Sequence, residues 1–206
     1  MADLDYARVE AALIGTAGAD YAQVRHSVIP PGFAPTEWLP AINRFLKRYP
    51  FETNVFCMTR FPKPGDGDSQ EMVISSIRDV VSMHGLSLHL ASDRQIADNL
   101  FANVVGHIWA SQYGIGLLED RASPPRGLNS NVLIELGSML VMGRRCAILR
   151  DLTAPYPPSD LSGQIYKSVS FDDLKQTTDA VHRWLSEDLG LSRCPACPHP
   201  VELGAS

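Results

Sequence analysis

Residues 126–150 read RGLNSNVLIELGSMLVMGRRCAILR, and the order of loop, helix and strand in this stretch decides the fold. Val132, Leu136, Met139 and Leu140, with Gly143 after them, recur at helical spacing, and Leu133, Ile134 and Val141 fill much of the remaining circumference. A helix apolar almost all round is expected to be buried. Between Arg126 and Arg144 the only charged residue is Glu135, which shares a narrow polar stripe with Asn131 and Ser138. Asn129 or Ser130 can cap the helix start, so Glu135 falls in its first turn or two. A carboxylate in such a helix is costly unless it is partnered or faces a cleft. Two readings are open: a functional carboxylate, or a structural one satisfied by an arginine or a backbone N–H. The run RCAILR that follows is a buried strand by composition.

Outward from this unit the same alternation repeats. NVFCMTRF (54–61) is a short apolar run, read as the first strand. The loop PKPGDGD follows, and Asp68 with Glu71 forms a capping box for a helix whose core face is Val73, Ile77, Val80 and Val81, ending at Gly85. LSLHLA (86–91) alternates as a strand, with His89 on its polar face as a solvated or packed edge residue. Residues 92–112 read as a helix with the stripe Ile96, Leu100, Val104, Ile108. YGIGLLE (113–119) is the third strand and RCAILR (145–150) the fourth. QIYKSVSF (164–171) is the fifth, and 171–190 an amphipathic closing helix. Five strands joined by helical crossovers predict a doubly wound, flavodoxin-like parallel sheet of order 2-1-3-4-5 with helices on both faces.

Ligands in such sheets sit beyond the carboxyl ends of the strands, at the switch point between strands 1 and 3. That rule nominates the loops 59–68, 92–95 and 120–131, and the helix that opens with Glu135. The candidate binding residues there are Arg60, Phe61, Asp93, Arg94, Asp120 and Asn131, with Glu119 and Arg126 nearby. Carboxylates, an amide and guanidinium groups suit a sugar carrying phosphates better than an apolar ligand. No GxGxxG or GxxxxGK[ST] follows the first strand and no GxSxG occurs, so dinucleotide redox chemistry, P-loop phosphoryl transfer and serine hydrolysis have no motif behind them.

The flanks are of a different kind. Residues 1–50 form a helical extension: a short helix around Leu4–Leu13, a linker at 29–35, and a second helix from Thr36 to Arg48 carrying Trp38, Leu39, Ile42, Phe45 and Leu46. Its expected role is docking on the main domain or on another chain. The main domain spans 51–190, and 191–206 is a tail in which Cys194 and Cys197 form C-P-A-C before His199. That is half of a zinc site; it reads either as a remnant or as one half of a site completed between two tails. Cys57 and Cys146 lie in apolar strands and read as buried thiols. The chain of 206 residues, 45% hydrophobic and 20% charged with a net charge of −5, is globular. It has no basic footprint for nucleic acid or an anionic membrane. No apolar run reaches the length of a membrane span and the first residues lack signal-peptide order, so a cytoplasmic location is expected.

The stretch N-S-N-V-L-I-E-L-G-S-M-L-V-M-G-R-R-C-A-I-L (129–149) resembles the N-P-N-V-x-x-E-L-G-x-A-x-x-x-G-x-x-V-I-L stretch of bacterial TIR-like (Toll/interleukin-1 receptor-like) nucleotide-binding domains. These are relatives of nucleoside 2-deoxyribosyltransferases, and several act as NAD-cleaving effectors in antiphage defence. N-V-F-C-M-T-R-F-P, I-W-A-S-Q-Y-G-I-G-L-L-E and P-S-D-L-S-G-Q-I-Y are similar to the segments around the first, third and fifth strands, so the resemblance covers roughly 54–175. Ser130 replaces the usual proline. R-A-S-P-P-R-G (121–127) stands where the deoxyribosyltransferases carry paired aspartates and a Gly-Thr, which weakens the transferase option.

The resemblance implies that Glu135 is the catalytic carboxylate at the ribose and that NAD is a substrate rather than a bound cofactor. Asn131, one turn earlier, would hold a ribose hydroxyl or orient the carboxylate; Arg60 and Arg94 are assigned to binding by cleft position alone. Three functions follow: hydrolysis of the ribosyl–nicotinamide bond of NAD, a non-catalytic nucleotide-sensing or interaction module, and base exchange on nucleosides or nucleotides. An NAD hydrolase left permanently active would be toxic, so gating by homo-oligomer assembly, a defence-system partner or an activating ligand is expected.

Overall fold

The computed structural model describes residues 38–60, 69–121, 125–158, 161 and 166–191. Their element order is α1 (Leu39–Arg48), β1 (Asn54–Met58), α2 (Ser69–Met83), β2 (Ser87–His89), α3 (Leu100–Ala110), β3 (Tyr113–Leu118), α4 (Ser130–Val141), β4 (Arg145–Asp151), β5 (Tyr166–Val169) and α5 (Leu174–Arg183), which a π-helical turn, Trp184–Asp188, extends. The sheet is fully parallel, in the order β2-β1-β3-β4-β5. This is the doubly wound arrangement the alternation predicts. The first helix, the 29–35 linker, Phe61, the Asp68 cap and the CxxC tail lie outside the described residues.

Alternation along the central strands sorts side chains to two faces. Val55 and Cys57 of β1, Ile115 and Leu117 of β3 and Leu149 of β4 pack on Val73, Ile77 and Val81 of α2 and on Val181 and Trp184 at the chain's closing helix. Phe56, Met58 and Ile148 face the other way, onto Ile108 of α3 and Val132, Leu136 and Met139 of α4. A third cluster joins Ile42, Phe45 and Leu46 of α1 to Phe51, Ile96 and Ala110. Thus α1, read from sequence as part of the extension, docks on the start of β1 and on α3.

The close seat of α4 depends on β3. At Gly114 an added Cβ would lie 2.8 Å from both Cys146 Sγ and Met58 Cε, and 3.2 Å from Met139 Cε. Met139 belongs to α4, so the absence of a side chain on β3 lets this helix sit low on the sheet. At its other end Gly143, with φ 72°, turns the chain into β4, and Arg144 N–H donates to Met139 O at 3.0 Å.

Two sequence expectations need correction. The helix α4 is not buried all round: Ile134 is 66% and Val141 90% exposed, while Val132, Leu136 and Met139 form the buried stripe. One helix face meets the sheet and the opposite face meets nothing among the described residues. The helix expected over 92–112 is confined to Leu100–Ala110. Asn99 caps it by accepting from Ala102 N–H, and Asn103 Oδ1 accepts from Ile96 and Ala97 N–H, holding the preceding residues in a non-helical path. Of the two readings of His89 the packed one holds: on the edge strand β2 it is 2% exposed, stacked on the fully buried His107 at 5.6 Å between ring centres.

Candidate active site

The carboxyl end of β1 continues directly into Thr59 and Arg60. With Phe56 and Cys57 they line a small cleft. Leu90, Ala91 and Ser92, in the turn after β2, close one side, and Glu135 enters from α4. The cleft stands at the switch point, where the order of the sheet reverses on either side of β1.

Glu135 is placed by its helix. Asn129 is the cap, its Oδ1 accepting from Asn131 N–H at 2.9 Å, and Glu135 follows in the second turn. Val132, Leu136 and Met139, on the adjoining stripe of α4, hold the helix against the sheet. Burial raises the Glu135 carboxyl from its ordinary value of 4.5 to about 7, and no neighbouring charge contributes to the shift. Among the described residues no hydrogen bond or ion pair reaches this carboxyl, so the arginine or backbone partner required by the structural reading is not found.

Arg60 and Thr59 are both held from outside the cleft. Arg60 Nε donates to Glu119 Oε1, whose carboxylate is itself 6% exposed and whose other oxygen accepts from Arg121 N–H at 2.9 Å. Thr59 Oγ1 accepts from Nε2 of Gln70, a buried residue in the first turn of α2. Cys57 is a neutral thiol, pushed by burial up to about 12, and is no nucleophile.

The other nominated residues lie elsewhere. The Asp93 carboxylate accepts from Leu90 N–H at 3.2 Å and faces Arg78 at 3.8 Å, fixing the turn after β2. Arg94 is exposed in the left-handed conformation, φ 48°. Asp120 accepts from the N–H groups of Arg126 and Gly127 at 2.9 and 2.7 Å, which shapes the loop ahead of α4. Asn131 is exposed beside the cap. The cleft therefore brings together Arg60 and Glu135, and adds two hydroxyls, Thr59 and Ser92, that the sequence reading passed over. Both lie in nominated loops, but an uncharged hydroxyl in a loop carries no composition signal.

Among the described residues no group of three or more histidine, cysteine or acidic side chains is arranged to hold a metal, and no helix is long and apolar enough to cross a membrane. No protein-family model matches the chain, and no curated protein matches it. Among solved structures it is similar to the 2-deoxyribosyltransferase of the psychrotolerant bacterium Bacillus psychrosaccharolyticus, at 14% identity and a TM-score of 0.44 over 59% of this chain and 90% of that one. It is also similar to rubredoxin oxygen:oxidoreductase from the anaerobe Desulfovibrio gigas, at 11% identity and a TM-score of 0.41 over 71% of this chain and 39% of that one.

Proposed function

We propose that the chain is an enzyme that breaks the N-glycosidic bond of a nucleoside or nucleotide, with Glu135 as the carboxylate at the sugar C1′. One observation carries this reading: the sole acidic side chain lining the cleft among the described residues is desolvated and joins no ion pair there. As the C–N bond breaks, its electron pair leaves with the base, and positive charge develops on C1′ and the ring oxygen. A carboxylate in a poorly solvated cleft stabilises that charge, or attacks C1′ to form a ribosyl ester that water or a second base then displaces.

Among the described residues the cleft supplies one carboxylate, not the pair used by most sugar hydrolases. A single carboxylate suffices where the leaving base already carries the positive charge, because such a base departs neutral and needs no proton. The nicotinamide–ribosyl bond of NAD has this property, and the resemblance of residues 129–149 to TIR-like domains supports the same substrate. In that reading an antiphage role, with assembly or a partner as the gate, belongs to the proposal. Base exchange is the second reading. It follows from the same carboxylate: a Glu135 ester displaced by a second base instead of by water is a ping-pong exchange.

The test is chromatographic detection of free base from NAD and from the four common ribonucleosides, with and without a labelled acceptor base, over a range of protein concentrations. Nicotinamide release supports hydrolysis, and label incorporation without net release supports exchange. Specific activity that climbs with concentration supports gating by assembly. Absence of both release and incorporation, with Glu135→Gln indistinguishable from the unaltered chain, removes the proposal.

A further inference from the structure

The cleft that Glu135 lines has a hydrogen bond built into its wall at Thr59. Gln70, 1% exposed, donates from behind to Thr59 Oγ1. A hydroxyl has one hydrogen to give and two acceptor positions. With an acceptor position occupied from the protein side, the Thr59 hydrogen is available on the cleft side. Thr59 and Glu135 line the same narrow space, yet no bond joins them. Around them Phe56, Leu90 and Ala91 offer no hydrogen-bonding side chain, while Arg60 and Ser92 line the same cleft.

The stereochemistry of a nucleoside says what fits between these two groups. In a β-nucleoside the base projects from one face of the sugar and the 2′-hydroxyl from the other. A carboxylate meeting C1′ opposite the departing base lies on the 2′-hydroxyl face, one bond from the carbon that bears it. A donor that lines the same cleft as that carboxylate can meet the same hydroxyl.

We infer that Thr59 is a specificity-determining residue whose hydroxyl donates to the substrate's 2′-hydroxyl, making this a site for ribosides in preference to 2′-deoxyribosides. The hydrogen bonds then run in one direction: Gln70 to Thr59, Thr59 to the 2′-oxygen, and the 2′-hydroxyl to Glu135. A 2′-deoxy sugar leaves the Thr59 donor and a Glu135 acceptor without their link, which costs binding. The inference rests on the reading of Glu135 as the carboxylate at C1′.

The experiment compares base release from adenosine, guanosine, cytidine and uridine with release from their 2′-deoxy counterparts, for the unaltered chain, Thr59→Val and Thr59→Ser. In parallel, titration calorimetry measures binding of the same pairs to Glu135→Gln and to Glu135→Gln/Thr59→Val. The expected riboside preference is about tenfold in kcat/KM and in affinity. It falls to near one with Thr59→Val and survives in Thr59→Ser, which keeps the hydroxyl. A 2′-deoxy preference, or a riboside preference that Thr59→Val leaves intact, overturns the inference even if base release is fast. Binding that prefers ribosides through Thr59, with no release by the unaltered chain, sinks the N-glycosidase reading and leaves the role of Thr59 standing.

Discussion

At the scale of single residues, Glu135 joins two properties that pull in opposite directions. Its carboxyl is raised from 4.5 to about 7 by burial, so the folded chain holds that proton more tightly than the unfolded chain does. Folding is therefore favoured by the protonated form, and this contribution is lost as pH rises from about 4.5 through 7. At pH 8 Glu135→Gln should melt a few degrees above the unaltered chain, with the two converging near pH 4.5 in differential scanning calorimetry. The same substitution should lower kcat by about 10²–10³, and the rate of the unaltered chain should climb as pH passes through 7, because the ionised form serves the cation. Arg60→Ala is expected to raise KM about tenfold with a smaller change in kcat, since a group already held by Glu119 contributes binding to ground and transition state alike. Unchanged KM in steady-state kinetics would remove Arg60 from the site. Glu135 was legible in the sequence because it is one charge in an apolar helix. Thr59 and Ser92 were not, because nothing in a hydroxyl's neighbours along the chain reveals which way it points.

At the scale of elements, the seat of α4 and the layer beneath α1 decide how firmly the site is held. A Cβ at Gly114 would come within 2.8 Å of Cys146 Sγ and Met58 Cε. Gly114→Val should therefore cost about 1–3 kcal/mol by overpacking and, by lifting α4, reduce turnover more than binding. Chemical denaturation and kinetics on one preparation would show both. On the other flank, His89 and His107 are stacked among Phe45, Tyr49 and Phe56. Burial lowers them from 6.5 to about 4 and about 3, and His107 has neither ring nitrogen bonded. The groups that face them are the neutral Asn54 and Gln95, with Asp93 and Arg78 acting on His89 from further off. Asn54 Nδ2 donates to Tyr49 O and Ala110 O, which turns Oδ1 to His89 and makes His89 Nε2 the protonated nitrogen. Depressed histidines favour the fold above pH 6.5 and oppose it as pH falls towards their folded values. Each should remove roughly 2 kcal/mol between pH 6.5 and pH 5. His107→Phe should about halve that acid sensitivity in melting curves; an unaltered slope would mean that other groups set it. The helical period of residues 92–112 was misleading for a related reason: apolar spacing reports which side faces the core, but Asn99 and Asn103 bind backbone N–H groups and decide where the helix starts.

At the scale of the whole molecule, the order 2-1-3-4-5 was legible because five apolar runs separated by helical periods admit few arrangements with right-handed crossovers. What the chain order could not show is that α1 joins the same body, since its contacts with Phe51, Ile96 and Ala110 bridge sequence distances that periodicity does not see. Leu189 and Leu191 pack against the core cluster on the α2 and α5 side. Replacing Cys194 and Cys197 together by Ser should therefore leave the melting temperature within about 1 °C and turnover unchanged, with zinc content measured on the same sample. A full equivalent of zinc per chain, lost in the double variant, would instead show that the tail is a metal module. Thr59 and Arg60, held by Gln70 and Glu119, lose much of their conformational entropy when the chain folds rather than when a ligand arrives. Association at this cleft should accordingly carry a favourable enthalpy with only a small entropic penalty from its walls. Loosening either wall by removing its outer partner should appear first as a less favourable entropy of binding, before any contact to the ligand is broken.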